Sequence, residues 1–133
     1  MPRLSLLQPQ EIEVFFILPA LRRDLAKTMK EPFLHLDQKS IAKRLGITEP
    51  AVSQYLNNKR ATKVVFSPHV HGLIRAAAPK IVDDVSLIRE TQFLLSAARE
   101  ELVACKVHEE LVPALKGCKA CHEAKGPTVF SVK

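Results

Sequence analysis

Apolar residues recur at helical spacing along most of this chain, and no run alternates in the way a half-buried strand requires. From Glu11 to about Lys30, Ile12, Phe15, Phe16, Leu18, Leu25 and Met29 mark one amphipathic helix. Pro19 lies inside it and should kink or divide it, because proline removes a backbone donor and crowds the preceding turn. The stretch EPFLHL at 31–36 predicts a linker whose Phe33, Leu34 and Leu36 cap the core, with His35 at the surface. Ile41, Ala42 and Leu45 then give a short helix with Asp37 as its N-cap, and Gly46 supplies the positive φ that ends it. Ile47 packs into the corner, Thr48 caps a second short helix, and Pro50 is tolerated in its first turn. In that helix Ala51, Val52, Tyr55 and Leu56 carry the apolar content, leaving Glu49, Ser53, Gln54 and Asn57 outward.

Beyond the basic NNKRATK turn, Val64, Val65 and Phe66 predict an apolar connector, and Ser67-Pro68 starts a helix running to about residue 82, loosened at Pro79. His69 and His71 alternate, which suits a loop better than a helix face. A longer helix is expected from Asp84 or Ser86 to around His108, with Val85, Ile88, Phe93, Leu94, Ala97, Leu102 and Val103 as its apolar positions. It holds more apolar surface than a monomer core needs, so it is the candidate dimerisation helix; packing onto the first helix is the plain alternative. GPTVFSVK reads as a tail. The predicted fold is all-α: a compact bundle of about five helices containing a helix-turn-helix, with a cysteine-containing C-terminal segment. The expected division is a helix-turn-helix region over residues 1–66 and a helical dimerisation and sensor region over 67–133.

Two short helices joined by a tight glycine corner are the geometry that lays a helix in the major groove, where amides and hydroxyls pair with base edges. Gln54 is the leading candidate for a base contact, since its amide can pair bidentately with adenine. Ser53 and the Thr48/Glu49 corner come next, with Asn57 on the same edge. Gln38, Lys39 and Lys43, with Asn58, Lys59, Arg60 and Lys63, are positioned for phosphates. Glu49 can accept from a cytosine amine or simply favour the helix N-terminus.

Charge sharpens this picture. The chain of 133 residues has a net charge of +6. Residues 1–66 hold 11 Lys/Arg against 6 acids, whereas 67–133 hold 9 against 8. Between 39 and 63 six cations face a single acid, Glu49. That coincidence of surplus and motif is the footprint of a polyanion partner, double-stranded DNA.

The motif, quoted as IAKRLGIT-x2-AVSQYL-x2-KR, resembles the helix-turn-helix of the Cro/CI-like (XRE) family of transcriptional regulators. With EIEVFFILPALRRDLAK before it, residues 9–62 are similar to a group of small predicted regulators common in archaea and some bacteria. The resemblance implies a repressor or activator that binds DNA as a homodimer. That group often carries a cysteine after the proline matching Pro9 and others near the C-terminus; this chain has Gln10 at the first place.

The C-terminal cysteines form a second candidate site. Cys105 and His108 fall one helical turn apart, and Cys118-x2-Cys121 is followed at once by His122. Gly117 opens that loop so that two thiolates can converge, and Lys116 and Lys119 favour the thiolate form. Five readings stay open: a structural zinc ion, an iron–sulfur cluster that senses oxygen, redox state or iron, a reversible Cys118–Cys121 disulfide, covalent haem at CKACH, or three unconnected cysteines.

No Gly-rich phosphate loop or nucleophile–base pair occurs, so an enzyme is not expected, and Asp83-Asp84 reads as a helix cap. The N-terminus lacks the pattern of a secretory signal, and the longest apolar run, VFFILPAL, is well short of the ~20 residues of a membrane span. A cytoplasmic protein is therefore expected. The competing classes are a protein-interaction module (an antitoxin or accessory subunit) that reuses the scaffold, and a small metal or redox protein.

Overall fold

The computed structural model describes residues 8–112 and Gly117, all helix, turn or loop. In chain order these are α1 (Pro9–Ile12), a π-helical turn (Glu13–Ile17), α2 (Leu18–Lys30), α3 (Gln38–Leu45), α4 (Glu49–Leu56), α5 (Pro68–Ala77), a 3₁₀ turn (Ala78–Lys80), α6 (Asp84–Glu100) and α7 (Val103–Leu111). The architecture is thus the compact all-helical one predicted. The tail and Cys118, Cys121 and His122 lie outside the described residues. No described helix is long and apolar enough to cross a membrane.

Pro19 divides the first helix in a specific way. Lacking an N–H, it cannot bond the carbonyl four residues back, at Phe15. Just before it the ladder widens by one residue, and the Leu18 N–H bonds the Glu13 carbonyl instead. The added residue rotates the face that follows. Ile12, Ile17, Leu21, Leu25 and Met29 are buried, whereas Phe15, expected as an anchor, is 52% exposed.

α2 occupies the centre and touches α3, α4, α5 and α6. One buried cluster runs from Ile12 through Ile41, Val52, Val70 and Leu94 to Val107, drawing on both halves of the chain. In the 31–36 linker the N–H groups of Leu34 and His35 both reach the Glu31 carbonyl, and that of Leu36 bonds Met29. This turn sends Leu34 and Leu36 inward and leaves Phe33, expected on the core, 87% exposed. Val64 and Phe66 are buried and Val65 points out, so the connector alternates instead of burying all three.

The second half differs from expectation twice. His69 and His71 sit in the opening turns of α5, not in a loop, because the Ser67 Oγ accepts from Val70 N–H (3.2 Å) and starts the helix immediately. The long helix does not reach His108: Leu102 takes a left-handed φ of 57°, ends α6 and redirects the chain into α7. The bend lets Val103 and Val107 pack inward from α7, which lies against α1 and the π turn. On α6, Leu94 and Ala97 are buried, but Val85, Ile88 and Phe93 face outward.

A buried ion pair anchors the centre. Arg23, although charged, is buried. It donates to both carboxylate oxygens of Asp24 (2.8 and 3.0 Å). Its Nη1 also donates to the Ala61 carbonyl and to that of Val64 (2.7 Å). α2 thereby holds the segment that leaves α4. Removing one partner of such a pair leaves an uncompensated buried charge. Arg23→Met should lower the unfolding free energy by about 3 kcal/mol in urea denaturation, and adding Asp24→Asn should restore part of the loss. A single variant within experimental error of the parent would refute the anchoring role.

Candidate nucleic-acid interface

The α3–turn–α4 unit is built from local chemistry. Asp37 Oδ1 accepts from Ser40 N–H at 2.8 Å and Thr48 Oγ1 from Ala51 N–H at 3.2 Å, which satisfies a free donor at the start of each helix. Gly46 has φ 67°, and Ile47 N–H closes back on the Ala42 carbonyl at 3.0 Å, a Schellman-type end. A Cβ at Gly46 would find ordinary contact with Leu87, so the glycine is required by its backbone angle and not by crowding. α4 ends in the same way. Asn58 takes φ 57°, while the Asn58 and Lys59 N–H groups bond the Tyr55 (3.2 Å) and Gln54 (2.8 Å) carbonyls.

Ala42, Ala51, Val52 and Tyr55 are buried in the corner between the helices. On the other side of α4, Glu49 and Asn57 are exposed and Ser53 and Gln54 half-buried; Thr48 at the helix start is exposed as well. The predicted polar edge is therefore turned away from the core. The Asn57 amide is engaged locally, donating to the Ser53 carbonyl (2.9 Å) and Oγ (3.3 Å), which fixes both side chains.

The cations divide into groups. Lys39, Lys59, Arg60 and Lys63 are exposed, and Gln38 is half-buried. The Arg60 guanidinium lies 5.6 Å from the centre of the Tyr55 ring, a cation–π contact that orders it beside α4. Lys43 and Arg44 line a polar groove with Asp83 and Asp84, so part of the α3 charge shares a groove with the carboxylates at the start of α6. Arg44 also approaches the Ile81 carbonyl at 3.5 Å. Lys27 reaches the end of α4 from α2, its Nζ 2.5 Å from Asn58 Oδ1. Arg22 instead lines a groove between α2 and α6 with Ile88 and Gln92. Three neighbouring cations of one helix thus have three separate environments.

Of the candidate metal ligands, Cys105 and His108 lie on α7 at i and i+3. Cys105 is half-buried and shares a cavity lining with Gln10. His108 Nε2 is enclosed with no hydrogen-bond partner among the described residues, a state that suits a nitrogen meant for a ligand. No group of three His, Cys, Asp or Glu side chains that could hold a metal ion occurs among the described residues.

No family model matches the chain, and no curated protein or solved structure matches it either.

Bonding by the Ser40 backbone and then its hydroxyl holds the Asp37 carboxyl below its usual 3.8; Ser86 does the same for Asp83 at the start of α6. Because the folded value is depressed, the stabilisation is complete above the ordinary value and disappears as pH falls through the lowered one. Asp37→Asn keeps an acceptor without the titrating charge. Its stability should therefore fall less steeply than the parent's below pH 3.8. Parallel acid-side curves from pH-dependent thermal melts would exclude this cap as a contributor.

Proposed function

We propose that this chain is a sequence-specific DNA-binding transcriptional regulator that acts as a homodimer in the cytoplasm. One observation carries the reading: a capped α3–turn–α4 corner turns Glu49, Ser53, Gln54 and Asn57 away from the core, within a segment where Glu49 is the only acid among six cations. Gln54 and Ser53 read base edges, while Lys39, Lys59 and Arg60 contact phosphates. The outward Val85, Ile88 and Phe93 on α6 support a second copy as the protein partner. A two-fold dimer would set two α4 helices about 34 Å apart on a pseudo-palindromic site.

Selection from random oligonucleotides at fixed salt tests this directly. An enriched motif is expected, and Gln54→Ala with Ser53→Ala should cost roughly tenfold to a hundredfold at that motif. Lys59→Ala with Arg60→Ala should instead weaken all sequences alike and flatten the log–log salt dependence by about 4, two contacts being lost from each copy of the dimer. Weak binding without sequence preference, abolished by salt, would replace the reading with a protein-interaction module.

A metal ion or iron–sulfur cluster held by Cys105, with His108 and with Cys118, Cys121 or His122, is the second element of the proposal. The enclosed His108 Nε2 supports it. Zinc would supply structural cross-linking, and a cluster would supply redox sensitivity. Protein purified without oxygen should contain stoichiometric zinc or iron, brown in the second case, and Cys105→Ser with His108→Ala should release it. Metal-free parent protein would remove this element and leave the DNA-binding reading intact.

A further inference from the structure

A cavity of about 350 Å³ opens between α1, the π turn and the α6–α7 junction. Pro9, Ile17, Ala98, Leu102 and Ala104 give it apolar walls, and its charged groups are Glu13 and Arg99. The size and the mixture match small-molecule sites, which pair apolar walls with a few placed polar groups.

The two charges are unequal. The Glu13 side chain is 11% exposed, whereas that of Arg99 is 54% exposed. Arg99 meets Glu13 with two hydrogen bonds, Nε to one oxygen at 2.7 Å and Nη2 to the other at 3.0 Å. Glu13 is therefore the enclosed member of the pair, and Arg99 a long counter-ion whose head already lies half in water. The backbone on both sides is unusual: Glu13 begins the π turn, and Leu102 on the opposite wall is a bulky residue at left-handed φ. Such conformations gather where a site needs a particular shape.

We infer that this cavity binds a small organic cation, an alkylamine or alkylguanidine, whose head group replaces the Arg99 guanidinium on Glu13 while its aliphatic body lies against Ile17, Ala98 and Leu102. The exchange conserves charge: one cation leaves the carboxylate as another arrives, and the gain comes from covering apolar wall. A carboxylate ligand could use only the Arg99 donors that Glu13 leaves over, and it would bring a second negative charge beside a carboxylate that is 11% exposed. The cavity thus selects against anions. It is distinct from the α4 edge and does not depend on whether that edge binds DNA.

The test is calorimetric titration of the full chain with n-butylguanidinium chloride, with sodium valerate as an anion of similar length. Saturable binding of n-butylguanidinium alone is expected. Arg99→Ala, which vacates the carboxylate in advance, should bind it at least about tenfold more tightly, and Glu13→Gln at least about tenfold more weakly. Absence of binding to the parent protein overturns the inference even if Arg99→Ala fails to fold. Equal affinity in Glu13→Gln, or preferential uptake of valerate, overturns it as well.

Discussion

A guanidinium taken out of water needs a partner at each nitrogen, and Arg23 meets that demand by joining three parts of the chain. Its planar fork takes both oxygens of its own neighbour Asp24, and the remaining nitrogen reaches the carbonyls of Ala61 and Val64. His71 Nε2 lies 3.8 Å from the same carboxylate, which brings α5 to the junction. The central helix, the exit from α4 and the start of α5 therefore share one polar node inside an otherwise apolar cluster. A lysine could not replace it, because a point charge lacks the rigid geometry that serves four acceptors at once. With both its entry at Thr48 and its exit at 61–64 fixed, α4 has little freedom to shift against α2.

The remainder of the architecture follows from two departures from regular helix. The π turn before Pro19 rotates the face of the first helix, burying Ile17 and Leu21 and releasing Phe15. The left-handed Leu102 converts one long amphipathic element into α6 and α7 at an angle, so that Val103 and Val107 close over the N-terminal helix. Each departure costs conformational energy, of order 1 kcal/mol or more for a bulky residue in that region. Each is offset by apolar side chains that a straight helix would have left in solvent.

How legible each part was from sequence depends on the range over which its cause acts. The helix-turn-helix was readable nearly residue by residue, since Asp37, Gly46, Thr48 and Pro50 act on backbone groups within four positions of themselves. Its buried set, Ile41, Ala42, Leu45, Val52 and Tyr55, followed from helical period alone. The role of Arg23 was not readable: its carbonyl partners lie 38 and 41 residues away, and nothing in RRD separates a buried guanidinium from its solvated neighbour. Phe15 and Phe33 were misjudged because hydrophobicity gives no direction once a turn departs from the regular period. The break at Leu102 carries no glycine, asparagine or proline to announce it. Only the packing of Val103 and Val107 explains it. The groove that Lys43 and Arg44 share with Asp83 and Asp84 is likewise tertiary, and a charge tally along the chain does not register it.

Arg23 grips main-chain oxygens, and this has a bearing on how the molecule can change over generations. The anchorage is indifferent to which side chains occupy positions 61 to 63, provided the backbone keeps its path; Ala61, at φ 61°, even favours a glycine there. Thr62 and Lys63 are exposed at the edge of the basic stretch. That short segment is free to gain or shed positive charge by mutation while the scaffold beneath it is unaffected. The positive charge of that surface can thus drift up or down in steps of one residue, independently of the side chains on the outward edge of α4.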